Sequence, residues 1–326
     1  VLFSSSMPKV SGSIRDHGLF GFIWSVSGYH QVGVALLSLV LFVLETAPLE
    51  LQRRIVNTAS QSGPYRGIAV LVLLYIVLGL CAGLVKLVLN LYRSWIGEVT
   101  TSWLRLHIFD VISRSGPNPP RNLTERIQLS IVVTEAEPIG GFAGDSVSQP
   151  LLQAGILLSV TGYLLYLQPT MALIVALVFV PQLVFVPLLQ GAINRRVATK
   201  TAVMREVSEA IVVAGGASDA DGKQHPRIGS IFALNMDIYN IKFTMNFLMN
   251  LFVQMGHIGI LAVGAYYVMS GKTEVGTIVA FVSGLAKIND PWGDLVDWYR
   301  ALKVTQVKFD LVRTATSEGR IAISAP

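Results

Sequence analysis

The stretch Gly67–Asn90, GIAVLVLLYIVLGLCAGLVKLVLN, decides the fold class. It carries one charge, Lys86, in an otherwise apolar or neutral run. Coiled as a helix at about 1.5 Å per residue it reaches about 36 Å, enough to cross roughly 30 Å of bilayer hydrocarbon. Five further runs flank it: Val32–Leu51 before it, then Ser148–Leu167, Met171–Ile193, Phe243–Met269 and Thr277 to about Val296. The whole chain of 326 residues is 52% hydrophobic and only 14% charged, with a mean hydropathy of +0.57. Soluble domains carry about 25% charged residues, so a bilayer is the solvent this composition fits. The expectation is an all-α membrane protein with six transmembrane helices.

The connections alternate. Those at 52–66, 168–170 and 270–276 are short, while those near 91–147 and 194–242 are long and polar. Only Leu-Gln-Pro-Thr around Pro169 parts the third run from the fourth, which predicts a helical hairpin. Long loops on one side and tight turns on the other predict helical extensions beyond one face of the membrane. Positive charge orients them. With the N-terminus inside, 19 of the 25 Lys and Arg residues fall on the cytoplasmic side. Four (Arg53, Arg54, Arg66 and Lys272) fall outside, and Lys86 and Lys287 lie within runs. Both termini and both long loops are therefore expected in the cytoplasm. Residues 1–14 are polar and Ser-rich and read as a disordered cytoplasmic tail, and 313–326 as a C-terminal tail. His17–Tyr29 (HGLFGFIWSVSGY) is aromatic but too short to span, as an interfacial helix is.

Several chemistries fail on spacing. A phosphate-binding loop needs two glycines at fixed separation before Lys-Ser/Thr. Gly271-Lys272-Thr273 has the ending, but Tyr266 stands where the first glycine belongs. Gly216 to Gly222-Lys223 has one residue too many, ends in Gln224, and holds Asp219 and Asp221, which repel phosphate. The five histidines are scattered without metal-ligand spacing, and the single Cys81 lies within an apolar run. The chain reads as no enzyme, and no cofactor or metal is expected on it.

Ionisable residues inside apolar helices are costly and so carry information. They are Glu45, Lys86, Lys287 and Asp290. Asp290, Asp294 and Asp297 follow at i, i+4 and i+7, on one helical face, with Lys287 and Arg300 three residues beyond either end as possible partners. Such a stripe is either self-neutralised near the membrane surface or the wall of a water-filled cavity suited to cationic or amphipathic cargo.

Six runs, long internal loops and an aromatic entry segment resemble the transmembrane domain of ABC transporters of the exporter type, over roughly residues 15–312. Leu44-Glu-Thr-Ala-Pro-Leu-Glu-Leu51 looks like the Pro-containing end of that family's first helix. TSWLRLHIFDVISRS, ending at Ser115, is similar to the cytoplasmic extension of its second. Thr134-Glu-Ala-Glu-Pro-Ile139 stands in the place of its acidic stretch. Gly271-Lys-Thr-Glu-Val-Gly-Thr-Ile-Val-Ala-Phe281, Asp290-Pro291 and Val307-Lys-Phe-Asp-Leu-Val312 look like its sixth helix.

The resemblance implies a permease subunit in the plasma (inner) membrane, working by alternating access as a homodimer or heterodimer. ATP and Mg would be bound by a separate nucleotide-binding chain. Coupling segments would fall near Ser115–Asn122 (with Gly116 and Arg121) and Val213–Pro226 (with Gly215, Gly216, Asp219, Asp221 and Lys223). Residues 115–121 read Ser-Gly-Pro-Asn-Pro-Pro-Arg, where the family has an aromatic pair followed by Asp. The alternative is an ATPase-independent secondary transporter or a non-transporting membrane component. No nucleic-acid partner is expected.

Overall fold

The computed structural model describes residues 18–114, 136–213 and 224–321. Among them the chain forms helices and short turns, with no strand. The helices are α1 (Leu19–Ser60), α2 (Tyr65–Arg114), α3 (136–145), α4 (Ser148–Leu167), α5 (Pro169–Val213), α6 (Gln224–Met269) and α7 (Val275–Ile321). Among the described residues five helical stretches are long and apolar enough to cross a membrane: α1, Tyr65–Asp110 of α2, Ala136–Leu167, Pro169–Met204 of α5 and Ile228–Met269 of α6. Only 6% of the most apolar window of α2 is buried within the chain, which is intolerable in water and ordinary in lipid. The protein is an all-α, multi-pass integral membrane protein. The sixth run, in α7, falls short of the same standard because Lys287, Asp290 and Asp294 interrupt it.

Among the described residues, those up to Tyr163 together with those from Lys287 form one compact unit, and those between Leu164 and Ala286 form a second. In the first unit, α1 kinks at Gly28 (φ 12°, ψ −99°), which separates the aromatic entry segment from the first span. Leu19, Phe22, Ile23 and Val26 of that segment recur at helical spacing and are buried against α2 (Leu104, Ile108), α3 (Ile139, Phe142) and α7 (Leu302, Phe309). Phe22 lies 5.5 Å from the Trp103 ring and 5.2 Å from the Phe309 ring. Beyond the kink the seam changes period. Val34 and Leu41 of α1 meet Ala82, Leu89 and Ile96 of α2, each set spaced by seven, together with Leu152 of α4.

Helix α3 packs on α2 backbone to backbone. A methyl group on Gly140 would strike Thr101 and the Gly97 carbonyl, and one on Gly144 would strike the Arg93 carbonyl. Gly140 and Gly144, four apart, thus run antiparallel along Arg93, Gly97 and Thr101, also four apart. Lipid supplies no hydrophobic drive to pair helices, so small residues that allow close approach supply the packing instead.

Two turns share one device. After α1, Gly63 N–H donates to the Thr58 carbonyl (2.9 Å) and Ser62 N–H to Ala59 (3.2 Å), with Ser62 at φ 53°. After α6, Lys272 N–H donates to Tyr267 (2.9 Å) and Gly271 N–H to Val268 (3.0 Å), with Gly271 at φ 66°. Both are Schellman caps with one left-handed residue. The Gly271-Lys272 amides that resembled a phosphate loop are thereby spent on closing α6.

The second unit pairs α5 with α6. Gly256 of α6 admits the Val178 and Leu285 side chains, and Gly264 those of Ile278 and Met171. Phe185 and Phe252 stack at 5.7 Å, and Arg196 reaches Asp237 at 3.4 Å. Pro181 removes a backbone donor inside α5, and the buried Gln182 amide nearby donates to the Val178 carbonyl at 3.1 Å.

Replacing Gly140 or Gly144 by Ala should lower stability by about 1–3 kcal/mol, the usual cost of overpacking. Denaturant titration in detergent should show this, while Gly141→Ala, which meets nothing within 4 Å, stays near the parent protein.

Candidate functional site

Polar residues inside an apolar helical domain mark where function is paid for, and here they gather in the first unit. Lys86, Asn90 and Arg93 lie on successive turns of α2. Gln149 and Gln153 do the same on α4, and Asp290 and Asp294 on α7. With Glu45 of α1 and Lys287 of α7 they line a chamber of about 410 Å³. A second chamber, about 380 Å³, shares Asn90 and Arg93 with it and continues between α2 and α3 past Glu98, Glu137 and Asp145. A third, about 450 Å³, shares Gln149 and Asp294 with the first and continues along α7 past Asp297, Trp298 and Thr305. The three chambers adjoin one another.

Specific bonds hold these walls. Lys287 Nζ lies 2.7 Å from Glu45 Oε2, tying α7 to α1 across 242 residues of sequence. Arg93 Nε donates to Asp145 Oδ1 at 2.7 Å, a contact made possible where Gly144 lets α3 sit on the Arg93 backbone. Gln153 Nε2 donates to Asp294 Oδ2 at 2.6 Å and to Gln149 Oε1 at 3.2 Å. Arg105 reaches Glu137 at 3.1 Å beyond the second chamber.

Towards the α1–α2 turn the walls close. Thr46 and Ser159 hydroxyls meet at 2.7 Å. One turn on, Glu50 accepts hydrogen bonds from the Tyr163 hydroxyl (2.6 Å), Arg53 (2.8 and 3.0 Å) and Arg54 (2.6 Å). Gln52 donates to the Tyr75 hydroxyl at 3.0 Å. These bonds tie α1 to both α4 and α2.

All six candidate cavity and ion-pair residues lie in this unit. Glu45, Lys86, Lys287, Asp290 and Asp294 share the first chamber, and Asp297 lines the third. The pairing differs from the expected one at one end of the stripe. Lys287 bonds Glu45 rather than an aspartate of its own helix, because α1 brings a carboxylate to it. At the other end Arg300 does pair with Asp297, at 3.0 Å. Arg93, Asp145, Gln149 and Gln153 escaped sequence reasoning. Their signal was there: polar residues at i, i+4 and i+8 from Asp145 to Gln153 lead into the apolar part of α4. The coupling-segment candidates Ser115, Gly116, Arg121, Asn122, Gly215, Gly216, Asp219, Asp221 and Lys223 lie outside the described residues.

The Glu45–Lys287 pair admits a direct check. Glu45→Lys and Lys287→Glu should each cost about 1–3 kcal/mol by leaving like charges together in a half-buried site. The double exchange should recover most of the loss, read as the melting temperature in detergent.

Compared with known proteins, the chain matches no family model and no curated protein.

Proposed function

We propose that this chain is the transmembrane subunit of an exporter-type ABC transporter. It would move a solute by alternating access with ATP hydrolysed on a separate chain. One observation carries the transport reading. Adjoining chambers walled by charged and amide side chains lie within an apolar helical unit, with hydrogen bonds tying α1 to α4 beyond one of them. Ionisable side chains are costly in hydrocarbon and mark functional sites there, substrate and ion pathways among them.

The finer topology belongs to the same reading. Helix α7 is the sixth span despite its charges, since its polar face is turned to the chambers. Both termini are cytoplasmic in a plasma (inner) membrane, by the distribution of Lys and Arg. The Glu50 network then lies at the outer end of the first unit. Energy from an ATPase partner, and pairing with a second transmembrane subunit, rest on the sequence resemblance. The Glu45–Lys287 pair favours a second reading, an ion-driven transporter, because an ion pair inside a span is a natural place for a coupling ion or proton to act.

Purification from native membranes, followed by ATPase and vesicle-transport assays, separates the two. The ABC reading expects an associated nucleotide-binding chain and transport that stops when ATP is depleted. Transport that survives ATP depletion and collapses with the ion gradient would replace it with the ion-driven reading.

A further inference from the structure

The aspartate stripe taken alone points to a cation as cargo, but the chamber around it does not. Its charged lining consists of Glu45, Asp290 and Asp294 against Lys86, Arg93 and Lys287, three of each sign. The amides of Asn90, Gln149 and Gln153 complete the polar wall. Glu45 and Lys287 neutralise each other and Asp145 neutralises Arg93, so the charges left to a ligand are Lys86 on one side and Asp290 and Asp294 on the other, both signs in one chamber.

The pairing within the chamber is uneven. Lys287 is used by Glu45, Arg93 by Asp145, and Asp294 accepts from Gln153. Among the described residues Lys86 and Asp290 take part in no ion pair or side-chain hydrogen bond, although both line the chamber. They stand on different helices, α2 and α7, with exposed side chains. One positive and one negative group are thus open to a ligand in the same cavity.

From this we infer that the chamber binds a zwitterion, with Lys86 taking its anionic group and Asp290 its ammonium group. Charge-assisted hydrogen bonds at both ends would be made without changing the net charge of the site. The volume, about 410 Å³, lies within the range of about 300–1,000 Å³ usual for small-molecule sites. A free solute and the headgroup of a zwitterionic lipid present the same chemistry. The inference rests on the chambers being the solute path, and it names the class of solute.

The test uses the full-length protein in a phospholipid-free detergent. Ligands are the ω-amino acids from glycine to 8-aminooctanoic acid, which act as rulers of charge separation. Each is compared by calorimetry with the alkylamine and the carboxylate of equal length. Dihexanoylphosphatidylethanolamine supplies the lipid headgroup. At least one zwitterion should bind ten-fold or more tightly than its matched amine and carboxylate. Lys86→Gln should reduce that zwitterion to the level of the amine, and Asp290→Asn to the level of the carboxylate. Preference for an ω-amino acid assigns a free solute, and preference for the lipid assigns a headgroup. An amine that binds as tightly as every zwitterion overturns the inference, as does a failure of both zwitterion classes to bind a protein whose melting temperature is normal. Zwitterion binding without vesicle transport would instead leave the inference standing and remove the transport reading.

Discussion

A charge placed in hydrocarbon must find its partner inside the protein, and most of the first unit follows from that requirement. Lys287 would be costly on an isolated helix. Its bond to Glu45 turns the cost into a fixed relation between α1 and α7. The same logic explains how α7 can be less apolar than its neighbours. Asp290, Asp294 and Asp297 line the chambers, so part of the low hydropathy of α7 comes from residues of the chamber walls.

Close packing supplies what the charges need. In lipid two apolar helices gain little from touching, so contact depends on shape and on hydrogen bonds. Gly97, Gly140 and Gly144 let α2 and α3 approach until backbone meets backbone. That approach seats Asp145 beside Arg93, and Arg93 is a wall of two chambers. Larger residues at those glycines would change the packing and the electrostatics together, because the ion pair is set by the distance between the helices.

The bilayer makes some of this legible in sequence and leaves the rest to tertiary contact. A fixed hydrocarbon thickness forces long apolar runs, so α1, α2 and α4–α6 could be read from hydropathy alone. The turn at 270–276 was plain, because Gly271 is the residue a left-handed cap favours, but the 52–66 connection shrinks to four residues in the structure, since α1 stays helical to Ser60 and places Ser62 rather than a glycine in the left-handed position. Sequence spacing also put the three aspartates on one face. It could not show what faces them. The Glu45–Lys287 partnership joins residues 242 apart, and nothing local announces it. Arg93 lies beyond the apolar run, which stops at Asn90, whereas the helix itself continues to Arg114. The end of hydrophobicity and the end of a helix are different events, and here the site lies between them.

The arrangement of charges also constrains how the unit can move. Parting α1 from α4 near the α1–α2 turn means breaking the bonds between Glu50 and Tyr163 and between Thr46 and Ser159. Arg53 and Arg54 lie on α1 with Glu50, so that carboxylate keeps two of its partners through such a movement. Parting α1 from α7 is harder, because Lys287 and Glu45 would each lose their partner. Lys287 has Asp290 three residues along its own helix, a spacing at which opposite charges meet. Asp290 can neutralise that lysine or hold a ligand's ammonium group, but it cannot do both fully at once. If the chamber holds an ammonium group as proposed, Asp290 is shared between that group and Lys287, so binding and the α1–α7 contact draw on the same carboxylate.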